Sequence, residues 1–274
     1  MNAGGLGTRL AANLSMMFVE VPFLQRFQAA ADAGFRFVEF QFPYAYDLDD
    51  IRSAIEAADV ALVMHNFPSG DWDAGERGLA VEPALSARFV GSIEVGLEAV
   101  EILGTPRMNC LAGIVDNSRT KNSLRKNLVA NFSYAASRLD EAGRALLIEP
   151  LNNQDVPGFA LNRASDVLAL LDEMKTKNAF LQLDIYHAHV MGEDIVRIIE
   201  TGIERIGHVQ IADNPGRHEP GSGKIDFTRV FDCLTANGYR KYVGCEYMPA
   251  GDTVAGLGWR GIIFPASGMT ENPE

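Results

Sequence analysis

The sequence predicts a single-domain (β/α)₈ barrel, and three observations predict it. Helix-like blocks alternate with short apolar runs from end to end, the pattern of a parallel α/β fold. The runs number eight, which suggests a closed ring. The 274 residues suit one such barrel, whose typical length is about 250 residues.

Taken in order, the chain opens with Gly4, Gly5 and Gly7, so residues 1–9 are expected to be a flexible end. A doubly wound sheet would need its glycine-rich turn after the first strand, and these glycines precede it. The first strand is Leu10–Asn13. A helical block at Glu20–Ala33 leads through Gly34 into the second, Phe35–Phe40, and Val60–His65 is the third. The stretch from Phe67 to Leu79 is rich in glycine and carries Trp72 and Arg77; a connection that long is expected to be a lid, or else a surface loop with Trp72 folded back on the barrel. Ala84–Leu103 then leads through Gly104 to Arg107–Cys110, and Ser123–Glu141 through Gly143 to Ala145–Glu149. Asn178 precedes Phe180–Asp184, Gly202 precedes Arg205–Gln210, and Gly238 precedes Tyr242–Glu246. Glycine or asparagine just past a helix fits a left-handed cap, so one helix-to-strand corner recurs. After Trp259 the chain is glycine-rich and interrupted by Pro265. The last helix is therefore expected to be short or malformed, and residues 265–274 a second flexible end.

Composition narrows the function. With 47% hydrophobic and 22% charged residues this is a globular chain, and no segment approaches the ~18 apolar residues of a membrane span. The start has neither a basic leader nor an apolar core, so a cytoplasmic location is expected. The three cysteines, Cys110, Cys233 and Cys245, stand at no metal or disulfide spacing and are expected to be reduced and buried. A net charge of -12 opposes binding to nucleic-acid phosphates and favours a small-molecule partner. A homo-oligomer is compatible with all of this.

Barrel enzymes build their sites at the C-terminal ends of strands, and here those ends read Asn13, Glu39, His65, Asn109, Glu149, Asp184, Gln210 and Glu246. Any one of Glu39, His65 or Asn109 could as well be a solvated edge. Glu149, Asp184, Gln210 and Glu246 make an all-oxygen set that suits a hard divalent cation, Mg²⁺ or Mn²⁺, better than zinc. Such a cation would also offset three carboxylates that the four strands leave without a basic partner. His187, just past the sixth strand, is expected to touch substrate and His189 to be structural. In the loop Ala212–Gly223, Arg217 could grip an anionic substrate or form a salt bridge with Asp213 or Glu219.

The runs Ala11-Ala-Asn-Leu-Ser-Met16, His65-Asn-Phe-Pro-Ser-Gly-Asp-Trp72, Ile148-Glu-Pro-Leu-Asn152, Asp184-Ile-Tyr-His187, Ala212-Asp-Asn-Pro-Gly-Arg-His-Glu-Pro-Gly221, Gly244-Cys-Glu-Tyr247 and Gly256-Leu-Gly-Trp259 closely resemble the hydroxypyruvate isomerase family. That family belongs to the xylose isomerase-like TIM barrels. The resemblance spans roughly residues 10 to 260. It implies Glu149 and Glu246 as the catalytic acid/base pair, with Glu149, Asp184, Gln210 and Glu246 around a divalent metal and no nicotinamide or flavin. The substrate, a small hydroxy or oxo acid, is expected to contact His65, Trp72, Arg77, His187 and Arg217. The alternatives are an isomerase of a longer 2-oxo acid such as 2-oxo-tetronate, an endonuclease-like DNA repair protein and a non-catalytic barrel; the charge and only five histidines speak against the endonuclease.

Overall fold

A computed structural model describes residues 4–115 and 121–265. Eight parallel strands close into a barrel in sequence order: β1 (Leu10–Asn13), β2 (Phe37–Glu39), β3 (Ala61–Asn66), β4 (Arg107–Asn109), β5 (Ala145–Ile148), β6 (Ala179–Asp184), β7 (Ile206–Ile211) and β8 (Val243–Cys245). The ring is sealed where Ala11 of β1 stands beside Gly244 of β8. Helices follow the strands on the outside, the longest being Ser86–Leu103 and Lys121–Glu141.

Side-chain parity organises the core. Along each strand one set of residues faces the barrel axis and the alternate set faces the helices. Inside, Ala11, Val63, Met64 and Leu147 pack with Phe37, Phe180 and Tyr242 to plug the floor. Outside, a larger cluster joins Val38, Phe40, Ile148, Leu181, Val209 and Val243 to helix residues such as Phe27, Phe132 and Phe231. Above the floor the inward positions turn polar: Asn13, Glu39, Asn109, Gln182, Asp184, His208 and Gln210 are almost wholly buried.

Two corner details differ from expectation. The left-handed corner before β6 is made by Lys175 (φ 55°), and Gly202 is not left-handed (φ -121°), because a turn of 3₁₀ helix at Ile203–Arg205 carries the chain on to β7. Of the expected flexible end at residues 1–9, residues 1–3 lie outside the described residues; in the rest, Gly4–Gly7 is a helical turn whose Leu6 is buried, and Gly7 packs so closely on the Phe264 ring that a Cβ would intrude on it. The short last helix is as the glycines dictate, five residues at Trp259–Ile263 after a 3₁₀ turn. The expectation of a flexible end at 266–274 lies outside the described residues. Cys110 and Cys245 are buried, whereas Cys233 is only half-buried on its helix.

Candidate active site

A small cavity of about 90 Å³ opens at the C-terminal end of the barrel, lined on one side by Glu149, His187, Arg217 and Glu246 and on the other by Phe42, Trp72 and Leu111. Parity puts the acids there. Asn13, Glu39, Asn109 and Asp184 are inward residues at the ends of their strands, and Glu149 and Glu246 are the first residues past β5 and β8 in the same inward phase.

The two glutamates are held differently. Glu246 accepts three donors: Asn13 Nδ2 (3.3 Å) and Gln41 Nε2 (3.1 Å) on Oε1, and Arg217 Nη2 (2.8 Å) on Oε2. Glu149 accepts one among the described residues, Asn109 Nδ2 on Oε2 (2.8 Å). Burial raises the pKa of Glu246 to about 7 against the opposing pull of Arg217. Glu149 is pushed well above its usual value, first by burial and then by the charges of Glu246 and Asp184. Asp184 is raised too, again by burial. Glu149 and Glu246 line the cavity with Asp184 close behind them, and among the described residues Arg217 brings a cation to these acids: its Nη2 also lies 3.6 Å from Asp184 Oδ2.

Arg217 can do this because its expected loop partners are engaged. Asp213 spends both oxygens on loop backbone, accepting from Asn214 N, Ile225 N and Gly221 N, and Glu219 accepts from Ala250 N. Arg217 itself sits at φ 55°, a left-handed conformation that a residue with a Cβ adopts only under local constraint. Its guanidinium rests over the Tyr186 ring at 4.9 Å.

His187 Nδ1 accepts the backbone N–H of Asn152 (3.2 Å), so the neutral ring carries its proton on Nε2, which lies 3.5 Å from Asp184 Oδ2. Burial lowers its pKa to about 3, so the ring is neutral. It is therefore a hydrogen-bond donor to the cavity.

A divalent cation fits this chemistry. Asp184 Oδ2 is a buried oxygen with no hydrogen-bond partner among the described residues, and donor atoms of Glu149, Asp184 and His187 lie within 4.8 Å of one another. With His187 protonated at Nε2, the oxygens are the better ligands. Gln210 departs from a simple ligand role: its Nε2 donates to Glu39 Oε1 (2.8 Å) and its Oε1 accepts from Gln182 Nε2 (2.6 Å), which leaves that oxygen one lone pair.

Two expected substrate contacts are not at the cavity. His65 points to the helix side, stacked on Phe40 at 5.9 Å and hydrogen-bonded through Nδ1 to Thr105 Oγ1 (2.9 Å). Asn66, the next residue in the strand, takes the inward place. Arg77 is turned onto the Trp72 ring (3.9 Å) and donates to the Trp72 and Glu76 carbonyls. Trp72 does line the cavity, against Phe42 at 5.3 Å. Its loop is pinned by Glu76, which takes both Nη1 and Nη2 of Arg88 (2.6 and 2.7 Å). Sequence reasoning missed Gln41, Asn66 and Asp155 in the lining. For the first two the signal was parity: Gln41 stands two residues beyond Glu39, and Asn66 two beyond Met64.

Fold and site together define a xylose isomerase-like TIM barrel, and that family matches residues 27–260. Hydroxypyruvate isomerase of Escherichia coli (strain K12) is 40% identical over 251 residues, 92% of this chain and 97% of the relative. 2-Oxo-tetronate isomerase of Cupriavidus necator is also 40% identical, over 92% of this chain and 96% of the relative. Among solved structures, an AP endonuclease, family 2, from Brucella melitensis superposes with a TM-score of 0.89 at 40% identity, covering 92% of this chain and 97% of that one. The 3-keto-D-glucoside 4-epimerase of E. coli shares the fold at 20% identity, with a TM-score of 0.77 over 93% and 99% of the two chains. The chain belongs to the hydroxypyruvate isomerase family of these barrels.

Proposed function

We propose that the protein interconverts hydroxypyruvate and 2-hydroxy-3-oxopropanoate (tartronate semialdehyde). The observation that carries this reading is the pairing of Glu149 and Glu246 at one small cavity with Arg217 bound to Glu246. In the forward direction one glutamate takes a proton from the hydroxymethyl carbon and an enediolate forms. A proton is then delivered to the former carbonyl carbon, while the two oxygens exchange theirs. Nothing is oxidised overall, so neither nicotinamide nor flavin enters. General acid–base groups of this kind typically contribute 10²–10⁴-fold.

Arg217 and the Nε2–H of His187 hold the anionic substrate, and the Trp72 and Phe42 faces exclude water above it. Glu149, Asp184, Gln210 and Glu246 would hold Mg²⁺ or Mn²⁺, which as a Lewis acid would stabilise negative charge developing on the carbonyl oxygen. 2-Oxo-tetronate, the named substrate of a relative equally similar to this chain, is the alternative acid for the same residues. The net charge of -12 argues against DNA, although one structural relative is named an AP endonuclease. A cytoplasmic setting and a place in glyoxylate metabolism belong to the same reading.

The test is turnover of hydroxypyruvate in D₂O, with Glu149→Gln and Glu246→Gln alongside. Expected are deuterium on the carbon that gains hydrogen and a fall in kcat of at least about 10²-fold in each variant. Full activity in either variant would remove that glutamate from the mechanism. Turnover of 2-oxo-tetronate but not hydroxypyruvate would replace the substrate.

A further inference from the structure

Below the cavity lies a polar layer that the proposed chemistry does not use directly, centred on Glu39. This carboxylate is wholly buried and is reached from three sides: Asn13 Nδ2 (3.0 Å) and Gln210 Nε2 (2.8 Å) on Oε1, and His208 Nε2 (2.6 Å) on Oε2. His208 Nδ1 is buried with no partner among the described residues, so the ring's proton stands on Nε2 and is donated to Glu39. To meet groups on β7, the Glu39 side chain crosses the barrel interior from β2. It does so over Gly244, where any Cβ would collide with the carboxylate.

We propose that Glu39 is a positioning residue for the site above it. By taking the Nε2 of Gln210 it fixes which way that amide faces, so that the oxygen is presented away from Glu39. The carboxamide of Asn13 bridges Glu39 to Glu246, so the same anchor sets the bearing of that glutamate. An amide held at one end only can flip through 180° and offer two N–H groups where an oxygen is wanted. Outer partners of this kind typically carry a 10–100-fold effect on metal affinity or activity. The inference rests on the proposed function for its catalytic consequence, while the orientation of Gln210 stands apart from it.

Three variants and one measurement on the unmutated protein test it. Glu39→Leu keeps bulk but leaves three N–H groups unanswered. Glu39→Gln still offers an oxygen to Asn13 and Gln210 and an N–H that His208 can accept by moving its proton to Nδ1. Gly244→Ala displaces the carboxylate without removing it. Thermal melts establish that each variant is folded. Expected for Glu39→Leu are Mn²⁺ affinity by titration calorimetry and kcat for hydroxypyruvate both reduced at least about 10-fold. KM should stay within about 3-fold, because Arg217 and Trp72 are untouched. Glu39→Gln should recover most of both losses, and Gly244→Ala should fall between. Should Glu39→Leu not fold, Gly244→Ala carries the comparison. In the unmutated protein the Gln210 side-chain amide protons should exchange with solvent far more slowly than those of an exposed glutamine. A folded Glu39→Leu with unchanged Mn²⁺ affinity and kcat, a Glu39→Gln no better than it, or a freely exchanging Gln210 amide would each overturn the proposal. If the unmutated protein proves inactive on hydroxypyruvate, the proposed function fails, and Mn²⁺ affinity and amide exchange still decide the role of Glu39.

Discussion

Replacing Arg217 with methionine keeps an apolar stem and removes the cation from among three buried acids. Its Nη2 lies 2.8 Å from Glu246 and 3.6 Å from Asp184. Breaking a buried ion pair by deleting one partner costs about 3–5 kcal/mol; with the Arg217 side chain 21% exposed, the lower end, about 3 kcal/mol, applies. The cost depends on pH. The folded pKa of Glu246, about 7, exceeds its unfolded value of 4.5, so the folded state keeps a proton that the unfolded state releases. Its contribution to stability is therefore fully present below about 4.5 and is lost as pH rises through about 7. Without Arg217 the folded pKa climbs further and the loss continues to higher pH. In chelator-treated protein, Arg217→Met should melt close to the unmutated chain at pH 5 and roughly 6–10 °C below it at pH 8. In the active enzyme KM for hydroxypyruvate should rise about 10- to 150-fold, the worth of a charge-assisted hydrogen bond of about 1.5–3 kcal/mol. An equal melting difference at pH 5 and pH 8, together with an unchanged KM, would refute both the ion pair and the anion-binding role.

Two further predictions follow from side chains that face the helices. His65→Phe should leave kcat within about 3-fold, because the ring packs on Phe40 outside the barrel, and should cost about 1–3 kcal/mol from the unpaired Thr105 hydroxyl, read by denaturant melts. Because burial depresses the folded pKa of His65 to about 3, below 6.5 unfolded, its share of stability is lost as pH falls from about 6.5 toward 3; the Phe variant should lose that part of the acid sensitivity. A large fall in kcat would return His65 to the site. Gly96→Ala should destabilise by about 1–3 kcal/mol despite alanine's better helix propensity, since the new methyl would collide with the buried Phe67 ring beside Asn66; a raised melting temperature would show that this contact can relax.

The barrel was legible because it repeats. Each apolar run carries a polar residue at its last or last-but-one position, and the run-to-corner rhythm survives a wrong boundary of one or two residues. The site is less forgiving, since a one-residue error in a strand turns a side chain to the other face. In β3 that single step separates His65, on the helix side, from Asn66, in the cavity lining. The register between β2 and β3 shifts at Val38/Glu39, so that Glu39 stands opposite Met64; reading straight across from Val38 and Leu62 would put Val63 there. No local pattern in the two strands announces that shift. Arg77 failed for a different reason: the loop offered its guanidinium an aromatic face and two carbonyls close by, and these satisfy it without the cavity.

Arg217 and Glu39 show where sequence reading reaches its physical limit. A loop arginine near Asp213 and Glu219 has carboxylates within a few residues, so residue types alone leave a local pair open beside the expected grip on substrate. What removes that pair is that Asp213 answers three backbone N–H groups of the same loop, a fact of turn geometry that residue types alone do not contain. With that acid engaged and the backbone left-handed at residue 217, the guanidinium turns toward Asp184 and Glu246, and the chain supplies one positive charge to the buried acids. Glu39 is the converse case. Its position at a strand end was plain, but its reach to His208 and Gln210 depends on Gly244, distant in sequence and lacking a side chain. A residue's role can be set by the atoms another residue does not have. For that reason Gly244→Ala is the sharper probe of this layer: it shifts the Glu39 carboxylate while no polar group is removed.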